Sequence, residues 1–216
     1  MKQVKINFRA VISSICFAVV LSGCALIPTT PTPRFYMLGA VSENLVNKKI
    51  NISFDALIGV GPVKIPEYQN RPQMVTQDKD KIIKFAQFDR WGESLDLGMA
   101  RLIGEDLLII LPEGKFILYP WNSSVEVKYQ VVVEIIQLDS ELDKDLFLAA
   151  QWIVIDTQNS KTMIIKRTES RHPIIPQNYS GLAKTLSIAC ASLSKEIAGE
   201  LESILKAKKD TQGAEE

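Results

Sequence analysis

The side chains that most often perform catalysis or bind metals are few in this chain and lie far apart. It has one histidine, His172, and three cysteines, which are Cys16, Cys24 and Cys190. A zinc site needs several such ligands. A Ser-His-Asp triad would need His172 as its base, and no G-x-S-x-G motif accompanies it. We therefore predict that the protein is not an enzyme and holds no metal or cofactor.

Three other groups contain residue types that can bind ions or react, but the residues around them do not favour such a function. Glu141, Asp143 and Asp145 cluster in a short polar connection. A solvated loop is the simpler interpretation, and an incidental calcium site is the alternative. The glycines of residues 59–62 (GVGP) precede no helix, which argues against a phosphate cradle. Cys190 lies among small apolar residues and is predicted to be a buried hydrophobe.

The N-terminus explains a second cysteine. The first nine residues carry three basic side chains and no acid, and residues 10–23 carry no charge. This apolar run is too short for a transmembrane helix and is typical of a signal-peptide core. It ends in LSGC, which resembles a bacterial lipobox. We predict that residues 1–23 are a lipoprotein signal peptide and that Cys24 carries a diacylglycerol and an N-acyl chain. The alternative is a plain cysteine in a signal anchor.

The residues after Cys24 indicate where the protein is anchored. Ala25 stands where an aspartate usually retains lipoproteins in the inner membrane, so we expect the periplasmic face of the outer membrane. Prolines alternate with threonines in residues 24–34. Such a segment favours extended polyproline conformation at about 3.1 Å per residue and predicts a tether of roughly 30 Å.

Charge and cysteine content exclude two further classes. The chain has 25 basic and 25 acidic residues, and removal of three basic residues with the leader leaves 22 − 25 = −3. Nucleic-acid-binding surfaces are strongly basic, so no nucleic acid is expected as a partner. Because Cys190 is the last free thiol, no intramolecular disulfide is possible.

Hydrophobic periodicity predicts an α/β (α+β) two-layer sandwich, a mostly antiparallel sheet covered by two long helices. The single domain spans residues 35–206, and residues 207–216 are predicted to be a disordered tail. The expected elements are strands at 34–40 and 52–65, a hairpin at 73–88, a helix at 94–111, strands at 125–135, 145–156 and 162–170, and a helix at 180–206.

Two polar segments carry the residue types that dominate interface hot spots. A loop (66–72) and the junction before the first helix supply four partner-contact candidates: Tyr68, Arg71, Arg90 and Trp91. The alternative is structural. Trp91 would then close the core beneath the helix, while Arg90 would pair with Asp89 or Glu93.

Several segments together resemble one family, the PqiC-like ABC-type transport auxiliary lipoproteins. They are IGVGPVKIPEYQNRPQMVT, FAQFDRWGESLDLGMARLIGEDLLIILP, YSGLAKTLSIACASLSKEIAGEL, PRFYML and the lipobox. The RPQMV and FDRW blocks are the most specific parts, and the resemblance runs from Cys24 to about Leu205. Ser94 departs from the family, where proline is expected, but serine is an equally good residue at a helix start.

The resemblance implies an outer-membrane lipoprotein that faces the periplasm and partners an inner-membrane-anchored MCE-domain protein. Such partners form a hydrophobic tunnel that is thought to move lipids between the two membranes. The implied role is to dock the outer-membrane end of that tunnel. Several copies of the lipoprotein would surround the tunnel as a homo-oligomer. One alternative is a structural or assembly lipoprotein that binds another outer-membrane complex or the cell wall. Another is a hydrolase with an atypical site at His172.

Overall fold

Two β-sheets of unequal size and two long helices form the fold. The computed structural model describes residues 31–40, 49–52 and 56–212. The predicted signal peptide and the lipid-attachment residue Cys24 lie outside the described residues, as does most of the predicted tether.

The described elements follow one another in the order strand, strand, hairpin, helix, four strands and helix. Their bounds are β1 (Arg34–Tyr36), β2 (Leu57–Lys64), a 3-10 helix (Glu67–Gln69), β3 (Gln73–Gln77), β4 (Ile83–Trp91), α1 (Leu95–Ile110), β5 (Lys115–Leu118), β6 (Tyr129–Ser140), β7 (Asp145–Asp156), β8 (Lys161–Pro173) and α2 (Tyr179–Gln212).

The large sheet has the strand order β5-β2-β6-β7-β8. Strands β6, β7 and β8 form the antiparallel meander that the sequence predicts, with β7 at the expected bounds. Strand β2 runs parallel to both β5 and β6. The sheet register shifts between Val60 and Val63, where Gly61 has a φ of +107° that favours glycine. The shift marks an irregularity of β-bulge type in β2.

Both helices cover the large sheet, which confirms the predicted layers. Helix α1 and the residue that follows it bury seven apolar side chains: Leu95, Met99, Leu102, Ile103, Leu107, Ile110 and Leu111. Pro112 follows and cannot continue the helix. Helix α2 buries Leu182, Leu186, Ala189, Leu193, Ile197 and Leu201, with Ile204 partly buried. We expected α2 to end near Lys206, and it continues to Gln212.

The small sheet has the order β1-β4-β3, and its separation from the large sheet was not predicted. Strands β3 and β4 form the expected hairpin, and the Asp78 carboxylate accepts backbone N–H bonds from Asp80 and Ile82 in its turn. Strand β1 pairs parallel with β4. Asp89 fixes this pairing through two bonds of 2.9 Å from the Arg34 guanidinium and one of 2.8 Å from the Tyr36 hydroxyl.

Candidate functional site

Strand register places two of the four partner-contact candidates next to exposed aromatic side chains. Arg90 is the cross-strand neighbour of Phe35 on one side and of Gln73 on the other. Two residues further along β3, Val75 faces Phe85 across the hairpin. Neighbouring side chains at the same register point to the same face of a sheet. We call this surface the outer face; it comprises Phe35, Arg71, Gln73, Ile83, Phe85 and Arg90.

The outer face is apolar and exposed, which is unusual for a sheet surface. Phe35 is 66% exposed, Phe85 51% and Ile83 42%. The Arg71 guanidinium lies over the Phe85 ring, 4.1 Å from its centroid, in cation–π geometry. Contiguous exposed apolar side chains around arginines are typical of a protein-binding surface.

The carboxylates closest in sequence to Arg90 have other partners. Asp89 binds Arg34 and Tyr36, as described above. Glu93 binds Arg101 at 2.5 Å. The pairing of Arg90 with Asp89 or Glu93, which we considered from the sequence, is therefore not formed. Arg90 makes no ion pair within the part of the chain that the structure describes.

Tyr68 holds the loop before β3 against strand β6. Its hydroxyl lies 3.3 Å from the Leu138 carbonyl oxygen, to which it donates, and 3.4 Å from Asp139 Oδ1. The neighbouring Gln69 amide donates to the same carbonyl at 2.7 Å. Burial raises the pKa of the Tyr68 hydroxyl, which keeps it a hydrogen-bond donor. These contacts support the loop that carries Arg71.

Trp91 lies on the opposite face of β4 from Arg90 and is only 7% exposed. It belongs to the hydrophobic core. Its backbone N–H donates to the Pro72 carbonyl at 2.8 Å, which attaches the end of β4 to the loop. Trp91 therefore closes the core, which was the alternative interpretation of this residue from the sequence.

We expect alanine at these adjacent positions to have very different effects on stability. Trp91→Ala leaves a large cavity in the core and is expected to lower the free energy of unfolding by about 3–5 kcal/mol. Arg90→Ala removes an outer-face side chain and is expected to change it by about 1 kcal/mol or less. Urea unfolding of the two variants measures both values. An Arg90→Ala variant as unstable as Trp91→Ala would place Arg90 in the structural framework.

The residues considered for catalysis do not come together. His172 is half-buried on β8, burial lowers its pKa, and its Nε2 has no hydrogen-bond partner within the described residues. Cys190 is fully buried in α2, which raises its pKa, as expected for an inert thiol. Glu141 pairs with Lys144 and Asp145 with Arg171.

Within the described ranges, no group of three or more His, Cys, Asp or Glu side chains is arranged to hold a metal ion. Neither of the helices in those ranges combines the length and apolar character needed to cross a membrane.

Sequence reasoning missed Phe35, Ile83 and Phe85. Each stands in a strand pattern in which an apolar residue is normally buried. The sequence signal for them is that Phe35 follows Arg34 and that Ile83 and Phe85 flank Lys84 in the charged hairpin region.

Comparisons with known proteins agree on family and fold. A family model described as "ABC-type transport auxiliary lipoprotein component" matches residues 36–198. The crystal structure of an uncharacterised protein superposes with a TM-score of 0.64 at 19% identity, covering 79% of this chain and 99% of its own. A Xanthomonas campestris protein superposes with a TM-score of 0.62 at 8% identity, covering 83% and 99%. These two structures show the fold alone. No curated protein shows a significant sequence match.

Proposed function

The chain belongs to the family of ABC-type transport auxiliary lipoprotein components, and from this membership we propose that it docks the outer-membrane end of an MCE-domain tunnel. In this role it is a non-catalytic lipoprotein that is anchored by Cys24 and faces the periplasm. It belongs to an intermembrane lipid transport system whose energy comes from a separate ATPase.

The outer face is the observation that supports docking. It exposes Phe35 and Phe85 and presents Arg71 and Arg90, and the Arg71 guanidinium lies on the Phe85 ring. Arginine and aromatic side chains at the centre of a patch supply most of the binding energy of protein interfaces.

The order of segments along the chain suits an anchored docking protein. Strand β1 begins at Arg34, the last residue of the predicted tether, and contributes Phe35 to the outer face. A tether of roughly 30 Å cannot reach the opposite membrane. A partner that spans the periplasm and arrives at the outer membrane therefore fits the geometry, with several copies of the lipoprotein around its end.

Chemical crosslinking in cells, followed by purification of the acylated lipoprotein and mass spectrometry, tests the proposal. We expect an MCE-domain protein to be recovered with the wild type. Arg90→Ala should reduce the recovery about tenfold, as for removal of a hot-spot side chain. Ile165→Ala is the matched control, because Ile165 is 63% exposed on β8 of the large sheet.

The alternative functions give different outcomes. Recovery of cell-wall fragments or an outer-membrane barrel, without an MCE-domain protein, would identify a structural or assembly lipoprotein. Loss of function in a stably folded His172→Ala variant would revive a hydrolase. Equal recovery from Arg90→Ala and Ile165→Ala would remove the outer face from the proposal.

A further inference from the structure

Three side-chain N–H groups near the end of β4 are buried and have no acceptor within the described residues. They are Arg71 Nε, Arg90 Nε and Trp91 Nε1. Native proteins leave few buried polar groups unpaired, so such a group usually has a role. All three groups are donors. Arg71 Nε and Arg90 Nε belong to permanently charged guanidinium groups of the outer face, and the complement of these two is a negatively charged acceptor. Trp91 Nε1 lies on the opposite face of β4.

The described residues do not provide this acceptor. The acidic residues closest in sequence to Arg90 are Asp89 and Glu93, whose carboxylates bind Arg34 and Arg101. Asp96, in the first turn of α1, accepts a hydrogen bond from the Ser94 hydroxyl. These three carboxylates are thus engaged elsewhere, and Glu67, four residues before Arg71, is exposed on the 3-10 helix.

We infer that the outer face binds an extended, acidic segment of the partner, with its carboxylates on Arg71 and Arg90 and its apolar side chains on Phe35 and Phe85. This inference rests on the docking role proposed above and specifies the chemistry of the partner. The guanidinium fork of arginine matches a carboxylate with two parallel N–H bonds, which gives specificity as well as affinity.

A cleft beside the outer face gives one carboxylate a defined position. It has a volume of about 330 Å³ and is lined by Asn70, Arg71, Pro72, Trp91 and Gly92, with Glu93 and Ser94 at the start of α1. Arg71 is shared between the cleft and the outer face. A side chain that enters the cleft can accept from Arg71, while its neighbours in an extended segment pack on the exposed aromatic rings.

A discrete acidic segment fits better than an anionic membrane surface. Membranes attract clusters of several basic residues. The hairpin turn next to the outer face, residues 78–81, carries two aspartates and two lysines and adds no net charge. Without the predicted leader the chain has a net charge of −3, from 22 basic and 25 acidic residues. Arg71 and Arg90 are therefore a local pair and not part of the basic cluster that an anionic membrane attracts.

Site-specific photocrosslinking in cells identifies the bound chemistry. A photoreactive phenylalanine analogue replaces Phe85 in the full-length, acylated protein, and the same analogue at Ile165 serves as control. We expect crosslinks at position 85 to a protein segment that contains at least two Asp or Glu residues next to apolar residues. Crosslinks to a neutral or basic segment, to lipid alone, or to nothing would overturn the inference.

Charge exchange then tests the arginines. Arg90→Glu should lower the crosslink yield at position 85 about tenfold or more, because like charges oppose each other in the complex. A lysine in place of the crosslinked carboxylate should restore most of the yield. Arg90→Lys, which keeps the charge and loses the fork, should lower the yield about two- to fivefold and guards against misfolding of the reversal variant. An unchanged yield in both variants, or no restoration, would overturn the inference.

The identity of the crosslinked protein separates this inference from the proposed function. An acidic segment of an MCE-domain protein supports both. An acidic segment of a different protein supports the inference and removes the MCE-docking role. A non-acidic segment of an MCE-domain protein supports docking and overturns the inference.

Discussion

Replacing Cys24 with alanine is expected to remove the protein from the outer membrane. The Cys24 thiol is the predicted attachment point for the diacylglycerol, and the predicted N-acyl chain requires cleavage before this residue. Each buried methylene contributes about 0.8 kcal/mol to membrane binding, so several acyl chains anchor the protein. A protein without acyl chains has only its domain surface with which to contact the membrane. We expect the outer-membrane fraction to fall at least tenfold, since one chain alone already binds marginally.

Fractionation of the two membranes and intact mass of the mature protein measure this effect. Cys190→Ala is the matched control, because that thiol is fully buried in α2 and cannot be acylated in the folded protein. The wild type and Cys190→Ala should carry the mass of the lipids and remain in the outer membrane. A wild-type protein without acyl chains, or a Cys24→Ala variant that stays in the outer membrane, would contradict the predicted anchor.

Local patterns predicted the helices and the meander because their signals are contained within single segments. The apolar stripe of α1 repeats every three to four residues and ends at Pro112. The run of β7 is apolar on both faces, as expected of an interior strand, and its bounds agree with the structure. The fold class could be predicted because these signals are local, and the structure confirms it.

Long-range pairing could not be predicted in the same way. Arg34 pairs with Asp89 across 55 residues, and nothing in the three residues of β1 specifies a parallel partner. The short strand β5 lies between Pro112 and a turn and shows too few residues for a period. The division into two sheets follows from these pairings and therefore remained hidden in the sequence.

The candidate site was predicted by residue type and completed by register. Arg71 and Arg90 were selected because arginine is common in interfaces, and both lie on the outer face. Trp91 was selected because tryptophan is also common in interfaces, but the alternation of side chains along β4 places it in the core. Phe35 and Phe85 became candidates only when β1 and β3 were placed on either side of β4.

Asp106→Asn is expected to stabilise the protein above neutral pH by several kcal/mol. Asp106 lies between α1 and α2 with no exposed surface, and its one hydrogen-bond partner is the Ser194 hydroxyl at 3.2 Å. Its Oδ1 atom has no partner within the described residues. Burial is the main cause that raises the pKa of Asp106 from 3.8 to about 7; Glu105 also raises it, whereas Ser194 and Lys195 lower it.

The raised pKa determines the direction of the pH dependence. Between about pH 4 and pH 7 the folded protein binds the proton of Asp106 and the unfolded chain does not. The stabilisation from this carboxyl is therefore complete below pH 4 and is lost as the pH rises towards 7, at about 1.4 kcal/mol per pH unit. Asparagine has the same shape and no charge, so it should avoid a loss of roughly 3–4 kcal/mol.

Urea unfolding of the wild type and Asp106→Asn from pH 4 to pH 8 measures this difference. The comparison cancels the opposite contribution of His172, whose pKa burial lowers. Asp143→Asn is the matched control, because Asp143 is exposed in the turn between β6 and β7. The wild type and Asp143→Asn should lose stability together as the pH rises, and Asp106→Asn should not. Parallel curves for all three proteins would show that the carboxylate of Asp106 is accommodated in its charged form between the helices.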